Sequence, residues 1–88
     1  MEYLLFTYPN CHKCEALKAF FAERGLAKQE YDVTLKEGRL KIREYLPSVV
    51  RDDKGSIILP TLMCVEGDRV EAVLNGREDF ESWLRSRA

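Results

Sequence analysis

The chain has 88 residues, 45% of them hydrophobic and 33% charged, the proportions of an ordinary folded domain rather than a disordered, collagen-like or coiled-coil chain. Its 14 basic and 15 acidic residues are interspersed, so no basic stripe offers itself to a phosphate backbone and nucleic acid is not an expected partner. The length suits one domain over residues 1–88, expected to act as a monomer. No stretch approaches the ~20 apolar residues that cross a bilayer, so no membrane association is expected. The opening MEYLLFTYPNC lacks a basic n-region and a small-residue cleavage site, which predicts a cytoplasmic location. Three cysteines, an odd number, fit reactive or buried thiols in a reducing compartment better than a secreted disulfide framework.

Tyr3 to Tyr8 is a short apolar, aromatic and β-branched run closed by Pro9 and Asn10, the pattern of a buried strand. From Cys11 the spacing changes: Cys14, Leu17 and Phe21 share a helical face with Phe20 beside it, Asn10 is the expected N-cap, and Gly25 stands where a left-handed C-cap is wanted. Lys28 to Val33 alternates, with Tyr31 and Val33 on one side, and completes a βαβ unit with parallel strands. Thr34 and Glu37 have the spacing of a capping box, and Leu35, Ile42, Leu46 and Val49 form an apolar stripe; Gly38 weakens this second helix and Pro47 ends or kinks it. Arg51 to Ser56 reads as an exposed loop. Ile57 to Val65, the turn Glu66-Gly67-Asp68 and Arg69 to Leu74 read as a β-hairpin. Asn75 and Glu78 form a second capping pair ahead of a helix that places Phe80, Trp83 and Leu84 on one face. The predicted order is β-α-β-α-β-β-α.

The pair Cys11-His12-Lys13-Cys14 falls at the junction of a strand and a helix, and this placement says more than the spacing. Unpaired N–H groups and the positive end of the dipole at a helix start stabilise an anion, here a thiolate. At such sites a thiol pKa falls from ~8.5 into the range of about 3.5 to 7.5. Cys11, nearest the helix end, is the expected nucleophile, and Cys14, one turn further in, the residue that resolves a mixed disulfide. Lys13, and His12 when protonated, add positive charge beside the pair or are simply exposed first-turn residues. Pro60 interrupts an apolar run; taken alone, it marks a strand beginning at Thr61. Cys64, within TLMCV, reads as a small buried hydrophobe. No metal site is expected from Cys11, Cys14, Cys64 and His12, because structural zinc ligands come as two separated pairs and His12 adjoins Cys11.

Together, FTYPNCHKC after the first strand, a proline about fifty residues later opening the hairpin, and LNGREDF before the last helix resemble the glutaredoxins and the glutaredoxin-like electron donors to ribonucleotide reductase. The resemblance covers nearly the whole chain. It implies an α/β, thioredoxin-like fold with a four-stranded mixed sheet flanked by three helices, and thiol–disulfide exchange on protein or glutathione mixed disulfides. No cofactor is expected to be bound; the implied reductant is glutathione or a thioredoxin-reductase-type flavoenzyme. The resemblance also implies that Pro60 is cis and faces the cysteines, and that the main chain of Leu59 pairs with substrate. The candidate substrate-binding residues are thus Tyr8, His12, Lys13, Leu59, Pro60, Asn75, Gly76, Arg77 and Glu78.

Three departures from the family pattern stand out. His12 and Lys13 replace the common Pro-Tyr between the cysteines, Tyr8 occupies a position that often holds lysine, and Asn75-Gly76 replaces Gly-Gly. A glutathione pocket needs a helix N-terminus for the γ-glutamyl carboxylate, which the last helix offers at Gly76 and Arg77, with Glu78 or Asp79 for the amine. It also needs a cation for the glycine carboxylate, which Tyr8 does not supply and which Lys13, Arg39 or Arg43 would have to replace. A glutathione site less complete than usual is expected. The competing reading is a non-catalytic module of the same fold that binds a partner or a metal, with the cysteine pair structural; a normal or raised Cys11 pKa would favour it.

Overall fold

The apolar run at the start of the chain becomes β1 (Glu2–Thr7), which supplies Leu4, Leu5 and Phe6 to the interior in a computed structural model that describes residues 1–87. After it come α1 (His12–Arg24), β2 (Gln29–Asp32), α2 (Lys36–Arg43), β3 (Thr61–Glu66), β4 (Arg69–Leu74) and α3 (Arg77–Arg87), the order expected from the sequence. The strands form one four-stranded sheet in the order β2-β1-β3-β4. β1 runs parallel to β2, with Phe6 beside Tyr31, and antiparallel to β3, with Phe6 beside Thr61. β3 and β4 form the hairpin, with a register shift between Cys64 and Val65.

The alternation of side chains along β1 and β3 divides the interior into two layers. On one face, Leu5, Leu62 and Cys64 meet Leu17, Phe20 and Phe21 of α1 and Phe80 of α3. Phe80 is the hub of an aromatic cluster, 5.0 Å from Phe21, 5.4 Å from both Tyr3 and Phe20, and 6.2 Å from Trp83. On the other face, Leu4, Phe6, Met63 and Val65 meet Ile42 of α2, with Tyr31, Val33, Tyr45 and Val49 packed at the margin. Tyr31 and Val33 therefore face one way, as their alternation requires. Gly25 ends α1 in the left-handed region at φ 63°, donating to Ala22, while Leu26 donates back to Phe21.

Several local expectations are corrected. Asn10 does not cap α1: its backbone is left-handed at φ 58°, and Cys11 is the N-cap. Thr34 does not cap α2 either. Its N–H and hydroxyl both donate to Asp32 Oδ1, at 2.8 and 2.6 Å, and Leu35 is the N-cap without a side-chain hydrogen bond. Of the apolar stripe, Ile42 is buried while Leu35 and Leu46 are exposed. α2 stops at Arg43 because the chain tightens into turns in which Glu44 donates to Lys41 and Tyr45 to Ile42, ahead of Pro47. Gly38 is not a weak point: a Cβ there would overlap the Asp32 carbonyl, so glycine is what lets α2 lie against the end of β2. Residues 57–60 are not strand. Ile57 makes one bridge to Arg51, and β3 begins at Thr61, directly after the proline, where the ladder can start.

Candidate active site at one end of the sheet

The C-terminal end of β1, the N-terminal end of β3 and the chain leaving β4 lie together at one end of the sheet, because Phe6 pairs with Thr61 and Leu62 with Leu74. From that end the chain passes through Tyr8 to Asn10 into α1. Cys11 and Cys14 are joined there in a disulfide, with Cα atoms 5.2 Å apart. The Cys14 N–H donates to Cys11 Sγ at 3.1 Å, and the Glu15 N–H donates to the Cys11 carbonyl at 3.1 Å. The sulfur thus fills the place that an oxygen of Ser, Thr or Asp takes at an ordinary N-cap. Cys11 retains 5% exposure and Cys14 none, so of the two sulfur-bearing residues only Cys11 touches solvent.

The Leu59–Pro60 peptide is cis, as the resemblance implied, and Pro60 is buried. The residues around it are tied down. Ile58 N–H donates to Val50 O at 2.9 Å, and Ile58 O accepts from Thr61 Oγ1 at 2.7 Å and from Asn75 Nδ2 at 3.1 Å. The same Asn75 amide donates to Pro60 O, also at 3.1 Å. Between these anchors, the Leu59 N–H and C=O make no hydrogen bond among the described residues.

Asn75 therefore does not cap α3 as expected; Gly76 stands at the helix start, its carbonyl accepting from Phe80 N–H at 3.1 Å. Asn75, Gly76, Arg77, Glu78 and Asp79 do come together with Lys13, and with Ala16, which the sequence did not single out, around a polar groove of about 420 Å³. Arg77 is already engaged there: its guanidinium bonds Glu81 at 2.8 Å and Glu23 at 3.0 Å and lies 5.2 Å from the Phe20 ring centre. The side chains of His12 and Lys13 are exposed and make no hydrogen bond or ion pair among the described residues. Tyr8 is exposed and lies outside the groove lining. The third cysteine, Cys64, is fully buried in β3 opposite Tyr3; burial pushes its thiol up to about 12, against a smaller opposing effect of Arg87. Among the described residues, no group of His, Cys, Asp and Glu gathers as a metal site, and no helix is long and apolar enough to cross a membrane.

A mixed four-stranded sheet carrying a Cys-x-x-Cys pair at the start of its first helix, with a cis-proline ahead of the neighbouring strand, defines a protein of the thioredoxin-like class. The family model described as Glutaredoxin matches residues 4–70, most of the chain, and the protein belongs to the glutaredoxin family. Searches of curated proteins and of solved structures returned no match.

Proposed function

We propose that the protein is a thiol–disulfide oxidoreductase that reduces disulfides of protein substrates, with Cys11 as nucleophile and Cys14 as resolving residue. The observation that carries this reading is the position of Cys11 Sγ at the N-cap of α1, where it accepts the Cys14 N–H at 3.1 Å. In the reduced protein a thiolate there would gain that donor and the helix dipole, and each pKa unit so gained is worth ~1.4 kcal/mol. The Cys11 thiolate attacks one sulfur of the substrate disulfide, the substrate S–S bond breaks, and its second sulfur leaves as a thiolate that takes up a proton. Cys14 then loses its proton and attacks Cys11 Sγ, which releases the other substrate thiolate and closes the Cys11–Cys14 disulfide. A buried Cys14 suits this second step, since its sulfur has access to Cys11 and not to outside disulfides. The free N–H and C=O of Leu59, the residue before the cis-proline, would offer an extended substrate segment two main-chain hydrogen bonds.

Two electrons must return from an external thiol, either glutathione, oxidised two molecules at a time, or the dithiol of a thioredoxin-reductase-type flavoenzyme. The polar groove at the N-terminus of α3, with Lys13 on its rim, suits the α-carboxylate and amine of glutathione. Tyr8 brings no cation for the second carboxylate, and of the residues that could replace it Lys13 lies on this groove while Arg39 and Arg43 line a separate one. Loss of one charge-assisted contact costs about 1.5 to 3 kcal/mol, so glutathione-dependent turnover should be modest.

The test is reduction of a protein disulfide with each donor system in turn. Cys11→Ser should abolish exchange, and Cys14→Ser should leave a mixed disulfide trapped on Cys11. Rapid alkylation of Cys14 alone at neutral pH would reverse the assignment, and a Cys11 pKa at or above ~8.5 would favour a structural cysteine pair.

A further inference from the structure

A second groove opens on the α2 face of the same sheet end, with a volume of about 300 Å³ and walls formed by Val33, Ile42, Leu46, Ile57 and Leu59. Arg39 and Arg43 stand at its rim. Arg39 spends one N–H on the Thr34 carbonyl, at 2.6 Å, and neither arginine pairs with a carboxylate among the described residues. Two of its walls are tied to the end of β1 that leads into the redox pair. Val33 N–H donates to Thr7 O at 2.9 Å, and Leu59 lies two residues before Thr61, the partner of Phe6. Both walls thus flank the last residues of β1, from which the chain runs directly to Cys11.

We propose that this groove binds the segment of a protein substrate that flanks its reacting cysteine, taking a large apolar side chain into the pocket and a neighbouring Asp or Glu onto Arg39 and Arg43. The inference rests on the oxidoreductase reading above and names the substrate that the same site prefers. Charge complementarity selects the occupant: an apolar floor under two guanidinium groups without carboxylate partners matches a segment that is both apolar and acidic. The volume, at the lower end of the about 300 to 1,000 Å³ of small-molecule pockets, suits one or two side chains. Glutathione carries two carboxylates, an amine and no apolar side chain apart from its thiol, so it leaves this floor unfilled. A peptide meeting the free peptide groups of Leu59 would fill it, because alternate side chains of an extended strand point to opposite faces.

The experiment measures second-order rates at which the fully reduced protein cleaves mixed disulfides between thionitrobenzoate and each of several cysteine ligands. These are peptides whose cysteine is flanked by Leu and Glu, by Leu and Lys, or by Gly alone, and glutathione. The Leu-Glu peptide should react about ten- to a hundredfold faster than the Gly peptide. The Leu-Lys peptide should fall between them, and added salt should shrink the Leu-Glu advantage over Leu-Lys. In the double variant Arg39→Glu with Arg43→Glu, the order of the Leu-Glu and Leu-Lys peptides should invert. That inversion is a ratio within one protein and does not depend on its absolute activity.

Equal rates for the Leu-Glu and Gly peptides would overturn the groove assignment and leave the oxidoreductase reading intact. Rates for every ligand no higher than those of a simple dithiol would instead remove the oxidoreductase reading. A concentration-dependent dimer that Leu46→Asp dissociates would assign the groove to a second copy of the chain and equally overturn the proposal.

Discussion

Asn75 offers the sharpest test of how the site is held. Its amide donates two hydrogen bonds, at 3.1 Å each, to the carbonyls of Ile58 and Pro60. Replacing it with alanine removes both. At about 1 kcal/mol for each neutral hydrogen bond, the loss is roughly 2 kcal/mol of the ~5–15 kcal/mol that a domain of this kind possesses. For a domain of this length, 1 kcal/mol moves Tm by about 4–8 °C, so Asn75→Ala should lower it by roughly 8–16 °C. Asn75→Asp should be worse at pH 7, because a carboxylate would face two carbonyl oxygens with nothing to donate. Burial against those oxygens would raise that carboxyl's pKa in the folded protein, so the penalty is absent below the unfolded value of about 3.9 and grows as pH rises from there through the folded-state value. Thermal melts of both variants at pH 7 and pH 4, with rates of protein-disulfide reduction, decide the matter. An Asn75→Asp protein as stable as Asn75→Ala at pH 7, or two variants that melt and react like the parent, would refute this account of the loop.

Gly38→Ala should destabilise rather than strengthen α2, by about 1–3 kcal/mol in denaturant titrations, because the added methyl overlaps the Asp32 carbonyl; a gain, as at an open helical glycine, would show that α2 can shift. Phe80→Ala should cost about 3–5 kcal/mol, enough to leave α3 loosely attached, and calorimetry of the variant checks it. In the reduced protein Cys64 should resist alkylation at pH 8 while Cys11 reacts, since the Cys64 thiol is buried and pushed up to about 12. The same shift raises the folded pKa above the unfolded one, so its stabilising effect is complete below about pH 9 and is lost as pH rises towards 12. Tyr3, also raised by burial first of all, adds to the alkaline loss, and Cys64→Ala should flatten the stability profile across that window.

What the sequence made legible followed from periodicity and glycine. The two-residue alternation of Tyr31 and Val33, the helical spacing of Cys14, Leu17 and Phe21, and Gly25 at φ 63° stand where the pattern put them. Capping was less legible, because Thr34 has two uses for its hydroxyl and the nearby carboxylate of Asp32 captured it. Asn75 looked like a cap for a similar reason: nothing local reveals that the cis-proline loop, distant in the chain, presents two carbonyls to its amide. Gly38 is misleading in the sequence because helix propensity is a local quantity and the Asp32 carbonyl that demands glycine belongs to the preceding strand. The Cys-x-x-Cys pair is plain in the sequence, while the apolar groove on the α2 face, built from residues of separate segments, has no linear signature.

The start of α1 makes the protein its own indicator of oxidation state. The atom that caps this helix is also the atom that the proposed chemistry oxidises, so the Cys14 N–H faces a neutral sulfur in the disulfide and an anionic one in the reduced thiolate. A full negative charge at a helix N-terminus is worth about 0.3–1 kcal/mol, which tightens the first turn upon reduction. The amide proton of Cys14 should therefore shift and exchange more slowly in the reduced protein. Observed by nuclear magnetic resonance, it would follow the couple in real time without any label or added dye.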